Sequence, residues 1–138
     1  MDALYIHIPF CDKKCFYCDF WTFINMGHEI DRYTDYIIKE SRLYPVHYYD
    51  TVYFGGGTPG LIGAGNFSKI LLALKIRENA EVTAEITPLN YSTEDFREYI
   101  KAGINRLSIG IQSFQDHILK ITGRNHSGAQ ALETYRKA

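Results

Sequence analysis

The chain lacks an excess of charge of either sign: 15 Lys and Arg stand against 16 Asp and Glu, for a formal net charge of −1. That balance leaves no electrostatic footprint for a nucleic acid or an anionic membrane. It also lacks any apolar run long enough to span a bilayer. Met1-Asp2 leads straight into a strand-like segment, with no basic n-region and no small-residue cleavage site, so the sequence reads as cytoplasmic. Cysteine is scarce and odd in number, three in 138 residues, which excludes a disulfide framework. Internal repeats, low-complexity segments and linkers are absent, so 138 residues fit one domain or a piece of a larger one.

What is present is concentrated. All three cysteines fall in one short stretch, Cys11-Asp12-Lys13-Lys14-Cys15-Phe16-Tyr17-Cys18. In a reducing compartment such a triplet points to metal ligation or redox chemistry. Three thiolates on one loop can hold three irons of a [4Fe–4S] cluster and leave the fourth iron open. The alternative is a structural metal-binding module, a zinc site with His7 or His28 as fourth ligand. Structural zinc usually draws on two separated ligand pairs, which fits one tight triplet poorly.

The rest of the chain alternates between strand and helix patterns. Leu4 to Ile8 alternates as a strand and Pro9 ends it. Apolar residues at 30, 33, 37 and 44 recur at helical spacing before Pro45. Thr51 to Phe54 is a second strand, running into Gly55-Gly56-Gly57-Thr58-Pro59. Phe67, Ile70, Leu71 and Leu74 mark a second helix. Glu81 to Thr87 is a third strand. Ser92 with Asp95 forms a capping box for a third helix, with Tyr91 placed to staple onto Phe96 and Gly103 to end it. Arg106 to Ile111 is a fourth strand, and Ala129, Leu132 and Tyr135 mark a further helix. This order predicts an α/β fold with a parallel sheet and right-handed crossovers.

The strand faces say more. A parallel strand buried on both sides reads as almost continuously apolar, yet three of these strands alternate. Leu4, Ile6 and Ile8 oppose Tyr5 and His7; Val82, Ala84 and Ile86 oppose Thr83, Glu85 and Thr87; Leu107, Ile109 and Ile111 oppose Ser108, Gly110 and Gln112. The polar faces then line a shared interior, as in a barrel or half-barrel with its chemistry at the C-terminal strand ends. Four strands cannot close such a barrel, so the sequence reads as the N-terminal part (residues 1–138) of a longer domain.

Several residues carry two readings. The glycine run is a flexible turn, or a place where a ligand approaches bare backbone N–H groups; no Lys-Ser/Thr follows, so it is not a P-loop. Gly60, Gly63 and Gly65 reverse the dinucleotide fingerprint and do not directly follow a strand. Glu85 in mid-strand needs a partner when buried, either a ligand or an ion pair with Arg106 or Arg124. Gln112 either satisfies backbone at a strand end or contacts a ligand. Arg124 sits in Gly123-Arg124-Asn125-His126, which is either a plain exposed loop or part of the site, and His126 matters only through its neighbour Arg124. His28, His47 and His117 read as surface or packing residues.

These segments resemble the radical S-adenosylmethionine (SAM) proteins, within the branch of the oxygen-independent coproporphyrinogen III oxidases. The matching pieces are Tyr5-Ile6-His7-Ile8-Pro9-Phe10-Cys11, Cys15-x-Tyr17-Cys18, Phe54 to Pro59, Ala102 to Phe114, and Gly123 to His126. The resemblance implies a partial parallel (β/α) barrel, about four βα units of an incomplete TIM-like barrel. It further implies a [4Fe–4S] cluster on Cys11, Cys15 and Cys18 with SAM on the open iron. One electron would cleave SAM to methionine and a 5′-deoxyadenosyl radical. Carried over, Tyr5 and Tyr17 lie beside the cluster and SAM, Gly57, Thr58 and Pro59 line the methionine end, Glu85 contacts SAM, and Gln112 and Arg124 lie further along the cavity. The partners implied are SAM, haem or a porphyrinogen, and an electron donor protein. Coproporphyrinogen oxidases carry a further cysteine two residues after the third, where this chain has Phe20. Cys18-Asp19-Phe20 and the short N-terminus resemble the haem chaperone (HemW-like) group, whose haem-binding motif is expected outside these residues. Ile86-Thr87-Pro88 departs from that group, which more often has Asn before the Pro.

Overall fold

The computed structural model describes residues 2–138. Four strands form a parallel sheet in the order β1-β4-β5-β6, comprising β1 (Ala3–Ile8), β4 (Tyr49–Gly56), β5 (Ile76–Ile86) and β6 (Arg106–Ile109). A second, two-residue pairing joins β2 (Phe10–Cys11) to β3 (Phe23–Ile24). The helices are α1 (Ile30–Ser41), α2 (Gly63–Leu72), α3 (Thr93–Lys101), α4 (Asp116–Ile121) and α5 (Gly128–Lys137). This is the α/β half-barrel that the alternating pattern predicts.

The alternation decides which face is covered. Ile6, Ile8, Val52, Phe54, Val82, Ala84 and Ile86 are all buried, under α1, α2 and α3. Phe67 of α2 is fully buried at the centre, edge-on to Phe54 at 4.9 Å and to Tyr99 of α3 at 5.4 Å. The Tyr99 hydroxyl donates to the Gly60 carbonyl at 2.8 Å. The opposite face carries Tyr5 paired in register with Tyr53, Tyr53 with Thr83, and Glu85 with Ser108.

Helix α3 begins as its sequence requires: Asp95 N–H donates to Ser92 Oγ at 3.2 Å, Ser92 N–H donates to Asp95 Oδ2 at 2.7 Å, and Tyr91 lies 5.3 Å from Phe96. Gly103 ends it at φ 103°, a conformation that glycine adopts without penalty.

Some expectations are corrected. Helix α1 stops at Ser41, and Tyr44, assigned to its apolar stripe, is exposed. Strand β5 starts five residues early, because the pairing slips by three residues between Tyr49 and Thr51 and lets Ile76 pair with Tyr49. Strand β6 ends at Ile109 because Ile111 N–H turns back onto the Ile109 carbonyl at 2.9 Å and Gln112 takes φ 64°. In α5 the buried face is Gly128, Ala131 and Thr134, while Ala129, Leu132 and Tyr135 are exposed. Close approach explains the choice: a Cβ on Gly128 would collide with the Phe114 carbonyl. A small-residue face is needed there, and an apolar stripe is not.

Truncating the centre of this core tests the packing. Phe67→Ala should cost about 3–5 kcal/mol in chemical denaturation, whereas Leu72→Ala, on a side chain 84% exposed, should stay within about 0.5 kcal/mol.

Candidate functional site

The cysteine loop is an excursion from a closed base. Cys11 ends β2, and the Phe23 N–H donates to the Pro9 carbonyl at 2.6 Å, so residues 12–22 leave and return at one point. All three thiols are free and half-buried.

The end of β4 lies under this loop. Gly57 N–H donates to the Ile8 carbonyl at 2.8 Å and Thr58 N–H to the Phe10 carbonyl at 2.7 Å. A Cβ on Gly57 would stand 2.5 Å from the Phe10 oxygen and 3.0 Å from Cys11 Sγ. The glycine run therefore does not present bare N–H groups at Gly56, Gly57 and Thr58. Those three are engaged by the chain itself, Gly56 N–H donating to Glu85 Oε2 at 3.2 Å. What glycine supplies is room for the cysteine strand to lie against β4.

Glu85 is held on the polar face by two donors, the Gly56 N–H and the Tyr53 hydroxyl, the latter at 2.6 Å. The hydrogen bond to Glu85 pushes the Tyr53 phenol above its ordinary pKa, with burial adding to it. Glu85 forms no ion pair with the arginines that sequence suggested. Arg106 pairs with Glu81 at 2.8 Å, and Arg124 turns to the cysteine loop. Tyr53 is a site residue that sequence reasoning missed; its place one alternation from Gly55 on the polar face was the available signal.

Arg124 enters from the connector after α4, with Nη1 3.3 Å from Cys15 Sγ and Nη2 donating to the Gly110 carbonyl at 2.6 Å. The segment is not an exposed loop: Gly123 and His126 are buried, and His126 Nε2 donates to the Ile111 carbonyl at 3.1 Å. Burial holds the His126 pKa below its usual value.

These elements enclose a cavity of about 270 Å³. Cys11, Cys15 and Cys18 line it, together with Tyr17, Gly57, Thr58, Glu85, Gln112, Arg124 and Phe20. Gln112 adopts its left-handed φ of 64° at the wall, strain of a kind that gathers at binding sites. Two expected residues lie outside the wall. Tyr5 stacks on Tyr53 at 6.1 Å and bonds His7 Nδ1 at 3.1 Å, and Pro59 is fully buried.

The donor set fits a cluster better than a single ion. The three thiols, on one short loop, all open onto the one cavity. A mononuclear zinc needs its ligands to converge at about 2.3 Å, whereas a cluster takes one thiolate at each of several irons. The guanidinium beside Cys15 supplies a cation and N–H donors to an anionic group, and its Nε is buried without a partner among the described residues.

Fold and site together define a half-barrel with a three-thiolate loop at its C-terminal rim. Residues 5–138 match the family model of the radical SAM superfamily, and the chain belongs to that superfamily, whose members imply a [4Fe–4S] cluster and SAM. The chain is 33% identical over 99% of its length to the heme chaperone HemW of Lactococcus lactis, and 38% identical over 90% to that of Synechocystis. It is 37% identical over 99% to the mitochondrial radical S-adenosyl methionine domain-containing protein 1 of Mus musculus. It spans about a third of the length of these relatives, 37%, 33% and 33% respectively. Among solved structures, the coproporphyrinogen III oxidase (HemN) of Escherichia coli shares the fold with a TM-score of 0.86 at 24% identity, over 99% of this chain and 34% of that one. Among the described residues, no helix is long and apolar enough to cross a membrane.

Two measurements test this geometry. Gly57→Ala should keep the fold by circular dichroism yet lose most of its iron after reconstitution, since its Cβ would push Cys11 away. Burial, reinforced by Cys18 and Cys15, raises the Cys11 pKa, while the Thr58 hydroxyl 3.5 Å away lowers it. In cluster-free protein, Cys11 alkylation should therefore reach half-maximal rate above the pH of an ordinary thiol. Thr58→Ala should move that midpoint higher still.

Proposed function

We propose that these residues are the N-terminal part of a radical SAM core, and that the protein belongs to the haem chaperone group of the coproporphyrinogen-oxidase-like branch. The observation that carries the reading is that all three cysteines open onto the cavity that Glu85, Gln112 and Arg124 also line. Cys11, Cys15 and Cys18 would hold the [4Fe–4S] cluster, and Gly57, Thr58, Glu85 and Gln112 would receive SAM. When bound, the cluster supplies one electron for reductive cleavage of the SAM sulfonium.

The chain's own residues bind and orient. Tyr53 and Gly56 fix the Glu85 carboxylate, so it enters the cavity as a pre-set acceptor for an ammonium or hydroxyl group. Thr58 hydrogen-bonds Cys11 and favours its thiolate. Tyr17 closes one side as a neutral phenol, its pKa raised chiefly by burial.

The relatives named as haem chaperones support delivery of haem to acceptor proteins as the whole protein's task, with an electron donor protein as a further partner. So does Phe20, an exposed ring on the cavity rim where the oxidases carry a cysteine. The shared fold of coproporphyrinogen III oxidase supports a second reading, oxidative decarboxylation of coproporphyrinogen III to protoporphyrinogen IX.

Full-length protein, reconstituted anaerobically with iron and sulfide, is expected to give a cluster EPR signal that changes when SAM is added. A signal indifferent to SAM overturns both readings. Haem passed to an acceptor protein without porphyrinogen turnover supports the chaperone; turnover of coproporphyrinogen III supports the oxidase.

A further inference from the structure

The connector between α4 and α5 fastens the cysteine loop from a distant part of the chain. Phe16 N–H donates to the Thr122 carbonyl at 3.2 Å. Gly123, at φ 77°, lets the Phe16 ring lie against it, where a Cβ would stand 3.1 Å from the ring. Arg124 then spans the gap between two elements, with Nη2 on the Gly110 carbonyl at 2.6 Å and Nη1 on Cys15 Sγ at 3.3 Å. Two donors of one rigid fork are thus fixed at once, one by backbone at the end of β6 and one by a cysteine of the metal-ligating loop.

We infer that Arg124 is a positioning residue that sets the reduction potential of the cluster, through a charge-assisted N–H···S bond to Cys15 held in place by the Gly110 carbonyl. The inference rests on the cluster reading above. Its physical basis is that potentials of such clusters follow the net charge and the hydrogen bonds to their sulfurs. Reduction adds one negative charge, and a cationic donor on a ligating sulfur stabilises the more negative state. Arg124 therefore raises the potential, and removing it lowers the potential. Lysine keeps the charge but offers a compact ammonium, which cannot satisfy both acceptors with a planar fork.

The full-length, anaerobically reconstituted protein tests this by EPR-monitored titration with dithionite and mediators, without SAM. One electron passes from dithionite to each cluster and no covalent bond changes. Arg124→Gln is expected to hold wild-type iron yet show about a tenfold smaller reduced-to-oxidised ratio at a fixed potential, equivalent to about 59 mV for one electron. Arg124→Lys is expected to fall between the two. A wild-type potential in Arg124→Gln, whether or not SAM affinity drops, overturns the inference and assigns the arginine to the substrate or to the fold. If the Gln variant retains too little cluster to titrate, Arg124→Lys decides alone: a lowered potential supports the inference and a wild-type value overturns it. Wild-type protein that takes up no cluster overturns the underlying reading.

Discussion

The site depends on one missing side chain. Gly57 lies where any Cβ would stand 2.5 Å from the Phe10 carbonyl, so the strand that carries Cys11 can pair beside the end of β4 only because nothing projects there. From that contact the rest follows. The Gly57 and Thr58 N–H groups close onto β1 and β2, Thr58 reaches Cys11, and the loop of residues 12–22 is anchored at its base. Gly57, rather than the glycine run as a whole, is the mechanical seat of the cysteine loop.

The second organising feature is the division of labour between the sheet's two faces. One face is apolar and closed by three helices, with Phe54, Phe67 and Tyr99 interlocked edge to face. The other bears polar groups that are held by neighbours across strands, as Tyr53 holds Glu85. A carboxylate on such a face is costly unless its oxygens are satisfied. Here each oxygen has one donor, which fixes its direction and leaves further lone pairs for a ligand.

Much of this was legible in the sequence. Period-two alternation marked both sheet faces, the Ser92–Asp95 box marked the start of α3, and the cysteine triplet with Gly57, Thr58, Glu85, Gln112 and Arg124 marked the cavity. What escaped reading was long-range or small. The slip between β4 and β5 depends on which residue meets Ile76 across the sheet, and a single strand's pattern does not encode it. Helix α4 is six residues long and too short for a periodic signature. Helix α5 docks through Gly128, Ala131 and Thr134 because its backbone must come close to Phe114, and a search for apolar periodicity selects the opposite face. Tyr53 was hidden because a tyrosine in a strand looks like packing until its hydroxyl is seen on a carboxylate.

Arg124 and Cys15 lie 109 residues apart in the chain. During synthesis at about 5–20 residues per second, the thiols leave the ribosome roughly 5–20 s ahead of the guanidinium that secures them. Through that interval the loop lacks the Thr122–Arg124 connector, and its cysteines are open to oxidants and to competing metal ions. The cradle around the thiols is thus finished by residues made well after them, and the loop takes its final shape only once the Thr122–Arg124 segment has folded back onto it.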